Sequence, residues 1–248
     1  MGMVRITFLG TGDAFSPSGL NQAAYLLQGP DASILLDCGG TTLTSMKKHL
    51  VDPAIVDTVA LSHFHGDHFG GLPSLLLQYK YLEERKRPLV IAGPQGVQER
   101  CTQLCSAFYP DALQTLPFPI SFIELKPELQ FNIGAAQFFP FAVPHAQSSV
   151  SLGLEIHLDG RKILYSGDSG WTDDLALHAQ GADLFICECT FFSTQLETHI
   201  CYQDLAKAKE SIAAKRMVLT HLGEEVLAHR SELELEIAED GMQIVLCQ

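Results

Sequence analysis

His63-Phe64-His65-Gly66-Asp67-His68 puts three imidazoles and a carboxylate within six residues. A zinc-like divalent ion takes about four N or O ligands at ~2.0–2.2 Å, so four donors this close do not readily serve one ion. One natural division uses two sites. Gly66 is expected to let the backbone turn tightly between the donors. Imidazole with carboxylate suits zinc, iron, manganese or nickel.

The run Val59-Ala60-Leu61-Ser62 reads as a strand that ends on His63. The same arrangement recurs three times downstream, with Phe141-Ala142-Val143-Pro144 ending on His145, Leu164-Tyr165-Ser166-Gly167 on Asp168, and Val218-Leu219-Thr220 on His221. Strand ends along one rim of a sheet lie near one another, and a rigid sheet holds side chains that are distant in sequence in place. Convergence of these donors is therefore expected.

Around the metal loop the chain alternates between two periodicities. Strands are expected at 4–9, 23–27, 33–37, 58–61, 89–92, 120–125, 136–143, 151–158, 162–165, 184–187, 217–219 and 243–246. Helical patterns occupy 42–50, 72–84, 94–108, 172–179 and 202–214, and Pro94 suits a first helical turn. Asp159-Gly160 marks a two-residue hairpin. There is no short repeat, low-complexity tract or linker-like stretch. Mixed strands with interspersed helices imply sheets covered by helices, in one α/β domain over 1–248.

Length and composition narrow the function. The chain has 248 residues, 46% of them hydrophobic, enough for one large core. No signal-peptide pattern opens it and no apolar run reaches membrane-spanning length, so a soluble cytoplasmic protein is expected. Seven scattered cysteines, an odd number, fit a reducing compartment and a packing role, including the pairs Cys101/Cys105 and Cys187/Cys189. A net charge of −13 disfavours an extended nucleic-acid footprint. The one dense basic triplet, Arg85-Lys86-Arg87, follows two acids and reads as a solvated helix end.

The loop His63–His68, followed in order by His145, Asp168 and His221, resembles the HxHxDH signature and later metal positions of the metallo-β-lactamase superfamily. More narrowly, Phe8-Leu9-Gly10-Thr11-Gly12, Gly70-Gly71-Leu72-Pro73, Gly167-Asp168-Ser169 and Glu188-Cys189-Thr190-Phe191 resemble its ribonuclease Z-like branch. The resemblance implies a four-layer αββα sandwich of two mixed sheets flanked by helices. It implies two divalent metal ions, zinc by preference with manganese or iron as alternatives: His63, His65 and His145 on one, Asp67, His68 and His221 on the other, Asp168 bridging. A hydroxide between ions ~3.5–4 Å apart would be the nucleophile. Such a centre carries net positive charge on an acidic chain and attracts a phosphate or carboxylate. Asp67 is a candidate proton acceptor. His199 stands where ribonuclease Z-like enzymes carry a non-ligand histidine, and is the candidate for the phosphoryl oxygen or the leaving group. Glu188 is the candidate to orient it, and Asp37 a candidate second-layer partner. His49, His157, His178 and His229 are assigned no role.

Two departures bear on substrate. Transfer-RNA-processing relatives carry Arg-Asn where this chain has Leu20-Asn21, and they bear a long protruding arm, whereas 69–143 reads here as ordinary helices and strands. The leading expectation is a phosphodiesterase acting on an RNA 3′ end or on a small, including cyclic, phosphodiester. The alternative is a carboxylic ester, thioester or lactone hydrolase on the same metals; a non-catalytic metal-binding module is the remote third. The apolar segment 72–81 is a candidate homodimer face.

Overall fold

The computed structural model describes residues 2–111, 114–146 and 149–247. Alternation along the strands sends apolar residues to both faces of two sheets, and each face is covered. The first sheet contains β1 (Val4–Gly10), β2 (Ala24–Gln28), β3 (Ser33–Leu36), β4 (Thr58–Ala60), β5 (Leu89–Gly93) and β6 (Ile120–Glu124). The second contains β7 (Phe131–Ile133), β8 (Ala136–Val143), β9 (Ser151–Leu158), β10 (Arg161–Tyr165), β11 (Leu184–Glu188) and β12 (Met217–Thr220). The chain then returns to the first sheet with β13 (Gln243–Leu246). The strand orders are β13-β1-β2-β3-β4-β5-β6 and β12-β11-β10-β9-β8-β7. β3 through β6 pair in parallel, as do β10, β11 and β12, and the remaining pairs are antiparallel.

Between the sheets, Ile6, Phe8 and Tyr25 from one side meet Phe138, Ile156, Tyr165 and Ile186 from the other. The outer face of the first sheet, with Leu26, Leu35, Val59 and Ile91, packs on α1 (Thr42–Lys48), α3 (Leu72–Tyr81) and α4 (Val97–Phe108). A one-turn helix, α2 (Gly66–Phe69), precedes α3. The outer face of the second sheet, with Leu164, Phe185 and Leu219, packs on α5 (Asp173–Ala179), α6 (Tyr202–Ala208) and α7 (Glu224–Ala228). This is the four-layer αββα sandwich of two mixed sheets that the resemblance implies.

Most strands lie within a residue of where periodicity puts them, and Asp159-Gly160 closes its hairpin with both residues at positive φ (50° and 74°). Several expectations fail for physical reasons. Pro94 does not open α4: Gly96, at φ 86°, intervenes and starts the helix one turn later. The 202–214 pattern is helical only to Ala208 before a 3₁₀ turn. The expected solvated helix end at 83–87 is only half right. α3 stops at Tyr81, and Arg85 turns inward, 4.7 Å over the Tyr79 ring, donating to the carbonyls of Arg87 and Pro88. The expected dimer face on 72–81 is core: Leu72, Leu75, Leu76 and Tyr79 are buried within the chain, leaving Tyr81 exposed. No helix among the described residues is long and apolar enough to cross a membrane.

One charged cluster ties α5 to the second sheet. The Glu155 carboxylate accepts from His157 Nε2 at 2.7 Å and from Lys162 Nζ and His178 Nδ1, each at 3.1 Å, while His178 stacks on Phe141. Burial works against the charged form of Glu155, yet bonds from His178, His157 and Lys162 bring its pKa from 4.5 down to about 2. A depressed carboxylate contributes stability that is fully present above pH 4.5 and is lost as the pH falls towards 2. Glu155→Gln should cost about 1–2 kcal/mol at neutral pH, discounted for partial solvent access. In urea unfolding the gap to the parent protein should narrow across that window; a gap independent of pH would contradict the assignment.

Candidate metal centre

The ends of β4, β8, β10 and β12 open on one rim, and the seven donors converge there. Asp168 is the hub: its Oδ2 lies 3.2 Å from His68 Nε2, 3.3 Å from His221 Nε2, 3.6 Å from His145 Nε2 and 3.8 Å from His63 Nε2. Asp67 Oδ2 is 3.3 Å from both His68 Nε2 and His221 Nε2, and His65 Nδ1 is 2.9 Å from His145 Nε2. Ligands held ~2.0–2.1 Å from a tetrahedral ion are about 3.3 Å apart, so these spacings suit metal coordination. The donors form two groups that could each hold an ion, His63/His65/His145/Asp168 and Asp67/His68/Asp168/His221. His63 Nε2 and Asp168 Oδ1 are buried without a hydrogen-bond partner among the described residues. An imidazole nitrogen and a carboxylate oxygen buried without partners are groups that a bound cation satisfies.

The outward nitrogens are held, which turns the inward ones to the centre. His68 Nδ1 meets Asp37 Oδ2 at 2.7 Å, His145 Nδ1 meets the Thr198 carbonyl at 2.9 Å, and His221 Nδ1 meets Thr190 Oγ1 at 2.9 Å. His63 Nδ1 lies 3.0 Å from Ser62 Oγ. Asp37, fully buried and at φ 55°, also accepts from the Ser62 amide, from Ser62 Oγ and from Tyr165 Oη at 2.6–2.7 Å. Burial pushes the Tyr165 phenol well up, which keeps it a donor.

Electrostatics are polarised across the rim. Burial drives the His63 imidazole well below its ordinary pKa. For His68, burial opposes the charged form, yet Asp168 and Asp37 together hold it well above that value. His221 is raised to about 9, burial being outweighed by Asp168 and Asp67. A pool of imidazole and carboxylate charge this tightly coupled is one that divalent cations compete for with protons.

Glu188 and His199 stand beside this centre. Glu188, at the end of β11 and fully buried, accepts from His199 Nδ1 at 2.9 Å and from the Ser169 amide through Oε1, and from Thr190 through Oε2. His199 stacks on His221, ring centroids 5.7 Å apart and planes within 7°. Its loop is anchored where the Glu197 carbonyl lies 2.0 Å from any Cβ on Gly170, a contact only glycine permits. Gly66, by contrast, opens α2 without positive φ and with open space beside it, so the tight-turn role expected of it is not needed.

All seven expected donors, together with His199 and Glu188, therefore share one rim. Reading the sequence missed Thr190 as the link between His221 and Glu188, and Asp13 as a wall of the cleft; the latter follows directly on Gly10-Thr11-Gly12 at the end of β1, at the same rim. The cleft holds about 510 Å³ and is lined by Asp13, Phe15, Phe191, Glu224 and Glu225 besides five of the donors, His65, Asp67, His145, Asp168 and His221. A second cavity, about 460 Å³, lies beneath α4 beside Cys101 and Cys105. Burial pushes the Cys105 thiol up to about 11, as befits a packing residue.

Comparison with known proteins agrees with this geometry. Ribonuclease Z of Agathobacter rectalis is 26% identical over 271 residues, covering 88% of each chain. The crystal structure of human tRNase Z, short form, superposes with TM-score 0.79 at 28% identity, covering 97% of this chain and 98% of that one. The metallo-β-lactamase fold protein YhfI from Bacillus subtilis shares the fold, with TM-score 0.80 at 22% identity over 98% of this chain and all of the other. The family model described as Anti-Pycsar protein Apyc1 matches residues 4–243. The chain is thus a ribonuclease Z-like hydrolase of the metallo-β-lactamase superfamily and belongs to the Anti-Pycsar protein Apyc1 family.

Proposed function

We propose that this protein is a phosphodiesterase with two divalent ions that acts on small phosphodiesters, cyclic ones included, rather than on transfer RNA. The observation that carries the reading is the charge of the cleft. Among the described residues lining it there is no Lys or Arg, and Asp13, Glu224 and Glu225 surround the donors. An anion therefore has one place to bind, the metal centre, and a polynucleotide's flanking phosphates would meet carboxylates instead of the basic track such substrates require. The described residues of 69–143 fold into α3, α4 and β5 to β8, with no protruding arm among them.

In this reading His63, His65, His145 and Asp168 hold one ion, and Asp67, His68, His221 and Asp168 the other. Zinc is the expected occupant, with manganese or iron compatible with the same donors. When bound, the ions supply an acidified water as nucleophile and positive charge against the phosphoryl oxygens. Asp67, whose carboxyl is held well below the usual range despite burial by its bonds to His221 and His68, stays an anion, the form in which a carboxylate ligates a cation. His199 faces the cleft with Nδ1 fixed on Glu188, leaving Nε2 to protonate the departing alkoxide. A dimer and a cytoplasmic location remain compatible expectations.

The test is a side-by-side assay of bis(p-nitrophenyl) phosphate, a 3′,5′-cyclic nucleotide, a precursor transfer RNA, and a lactone and thioester panel, with metal counted on the same sample. Turnover of the two small phosphodiesters with about two ions per chain is expected. Carbonyl turnover without phosphodiester cleavage would overturn the reading in favour of the ester-hydrolase alternative.

A further inference from the structure

We propose that Ser62 is a positioning residue for His63, relaying to it the Asp37 carboxylate, so that one buried carboxylate orients a ligand in each of the two donor groups. The inference rests on the two-ion reading of the centre. It adds a second link between the groups, made through the ring nitrogens that face away from Asp168.

Strand register brings the two residues together. β3 and β4 pair in parallel with Leu36 beside Ala60, so Asp37 and Ser62 leave neighbouring strand ends. The Asp37 amide donates to the Ala60 carbonyl at 2.9 Å, and the Ser62 amide donates to Asp37 Oδ1 at 2.7 Å. Those two bonds alone would stitch the strand ends. Oδ2 does more: Ser62 Oγ and His68 Nδ1 each lie 2.7 Å from it, and Tyr165 Oη lies 2.6 Å from it. Asp37, Ser62, His63, His68 and Tyr165 are all buried, so bulk water offers no competing partner.

Counting hydrogens assigns the roles. A carboxylate only accepts, so each of the three neighbours of Oδ2 turns a hydrogen towards it. Ser62 has one hydroxyl hydrogen, and its 2.7 Å contact to the anion outcompetes the 3.0 Å contact to His63 Nδ1. Ser62 Oγ is then the acceptor for His63, whose Nδ1 carries a proton just as His68 Nδ1 does. Both rings therefore present Nε2 as the lone pair. His63 presents it to the group with His65, His145 and Asp168, and His68 to the group with Asp67, Asp168 and His221.

Ser62 is also confined. Its Cβ lies 3.1 Å from where a Cβ on Gly167 would sit, Gly167 is itself at φ 59°, and the Leu152 amide donates to the Ser62 carbonyl at 3.0 Å. A hydroxyl fixed on both sides holds the His63 ring at a set angle. Outer partners of this kind govern how tightly an imidazole ligates.

The experiment titrates the metal-stripped full chain with zinc against a chromophoric chelator and reads two dissociation constants. Ser62→Ala removes the relay and keeps all seven donors. One constant should rise about 10–100-fold, while the other stays within about threefold. His65→Ala marks the constant that belongs to the His63 group, and adding Ser62→Ala to it should leave the remaining ion unchanged. Tyr165→Phe takes a donor from the same Oδ2 without touching either ring, and both constants should hold; a loss matching that of Ser62→Ala would assign the effect to core packing and overturn the inference. A second readout needs no variant: in zinc-loaded protein with isotope-labelled histidine, NMR should place the protons of His63 and His68 on Nδ1. His63 protonated on Nε2, or Ser62→Ala with both constants unchanged, would overturn the inference and leave the two-ion reading standing. Parent protein that binds fewer than two zinc ions would overturn that reading, and the inference with it.

Discussion

Asp168→Ala is expected to lower kcat/KM for every substrate by about 10³-fold or more and to release metal, with the αββα fold retained by circular dichroism. The expectation follows from the position of one oxygen. Asp168 Oδ2 is the point that four imidazole nitrogens share, at 3.2–3.8 Å, and Asp168 is the one residue common to both donor groups. Every other ligand change should weaken one ion first; removing Asp168 weakens both. The same carboxylate is what raises His68 and His221 against burial, so its loss leaves those imidazoles without their counter-charge. Metal content measured after dialysis, beside activity with zinc or manganese in excess, separates loss of affinity from loss of chemistry. Near-parental activity with both ions retained would show that Asp168 does not join the two sites.

The metal loop was legible because its donors are dense in sequence, and the later ligands because each follows a hydrophobic strand. Parity along a strand and the shared rim of two sheets then do the rest: β4, β8, β10 and β12 are far apart in sequence, yet His63, His145, Asp168 and His221 meet. The supporting layer was far less legible. Thr190 touches His221 and Glu188 through one hydroxyl, and Tyr165 reaches Asp37 across the sandwich, contacts set by sheet-on-sheet packing with no local periodic trace. Asp13 looks like a turn residue in sequence, and only the approach of the Leu222 carbonyl reveals it as a cleft wall. Gly66 misled in the opposite direction: a glycine between ligands suggests a strained turn, but a one-turn helix there needs none. Helix ends at Gly96 and Ala208 were misplaced because turn chemistry, not hydrophobic pattern, stops them.

His199→Ala should leave two ions bound and yet lower turnover about 10²–10³-fold for substrates with alkoxide leaving groups, while p-nitrophenyl esters lose far less. An alkoxide needs a proton as the P–O bond breaks; p-nitrophenolate is stable enough to depart without one. His199 is suited to give that proton. Burial works against its charged form, but the hydrogen bond and charge of Glu188, with Asp168 behind them, raise its pKa above the ordinary imidazole value. Glu188→Gln removes that charge, so the His199 pKa should fall, and the alkaline limb of kcat, where the acid form is lost, should move to lower pH. A purely structural Glu188 would lower activity without moving the limb. The leaving-group dependence is the sharper measurement, because misplacement of a metal would slow aryl and alkyl esters together. Equal losses on both, with two ions still present, would remove His199 from the proton transfer and return it to the wall of the cleft.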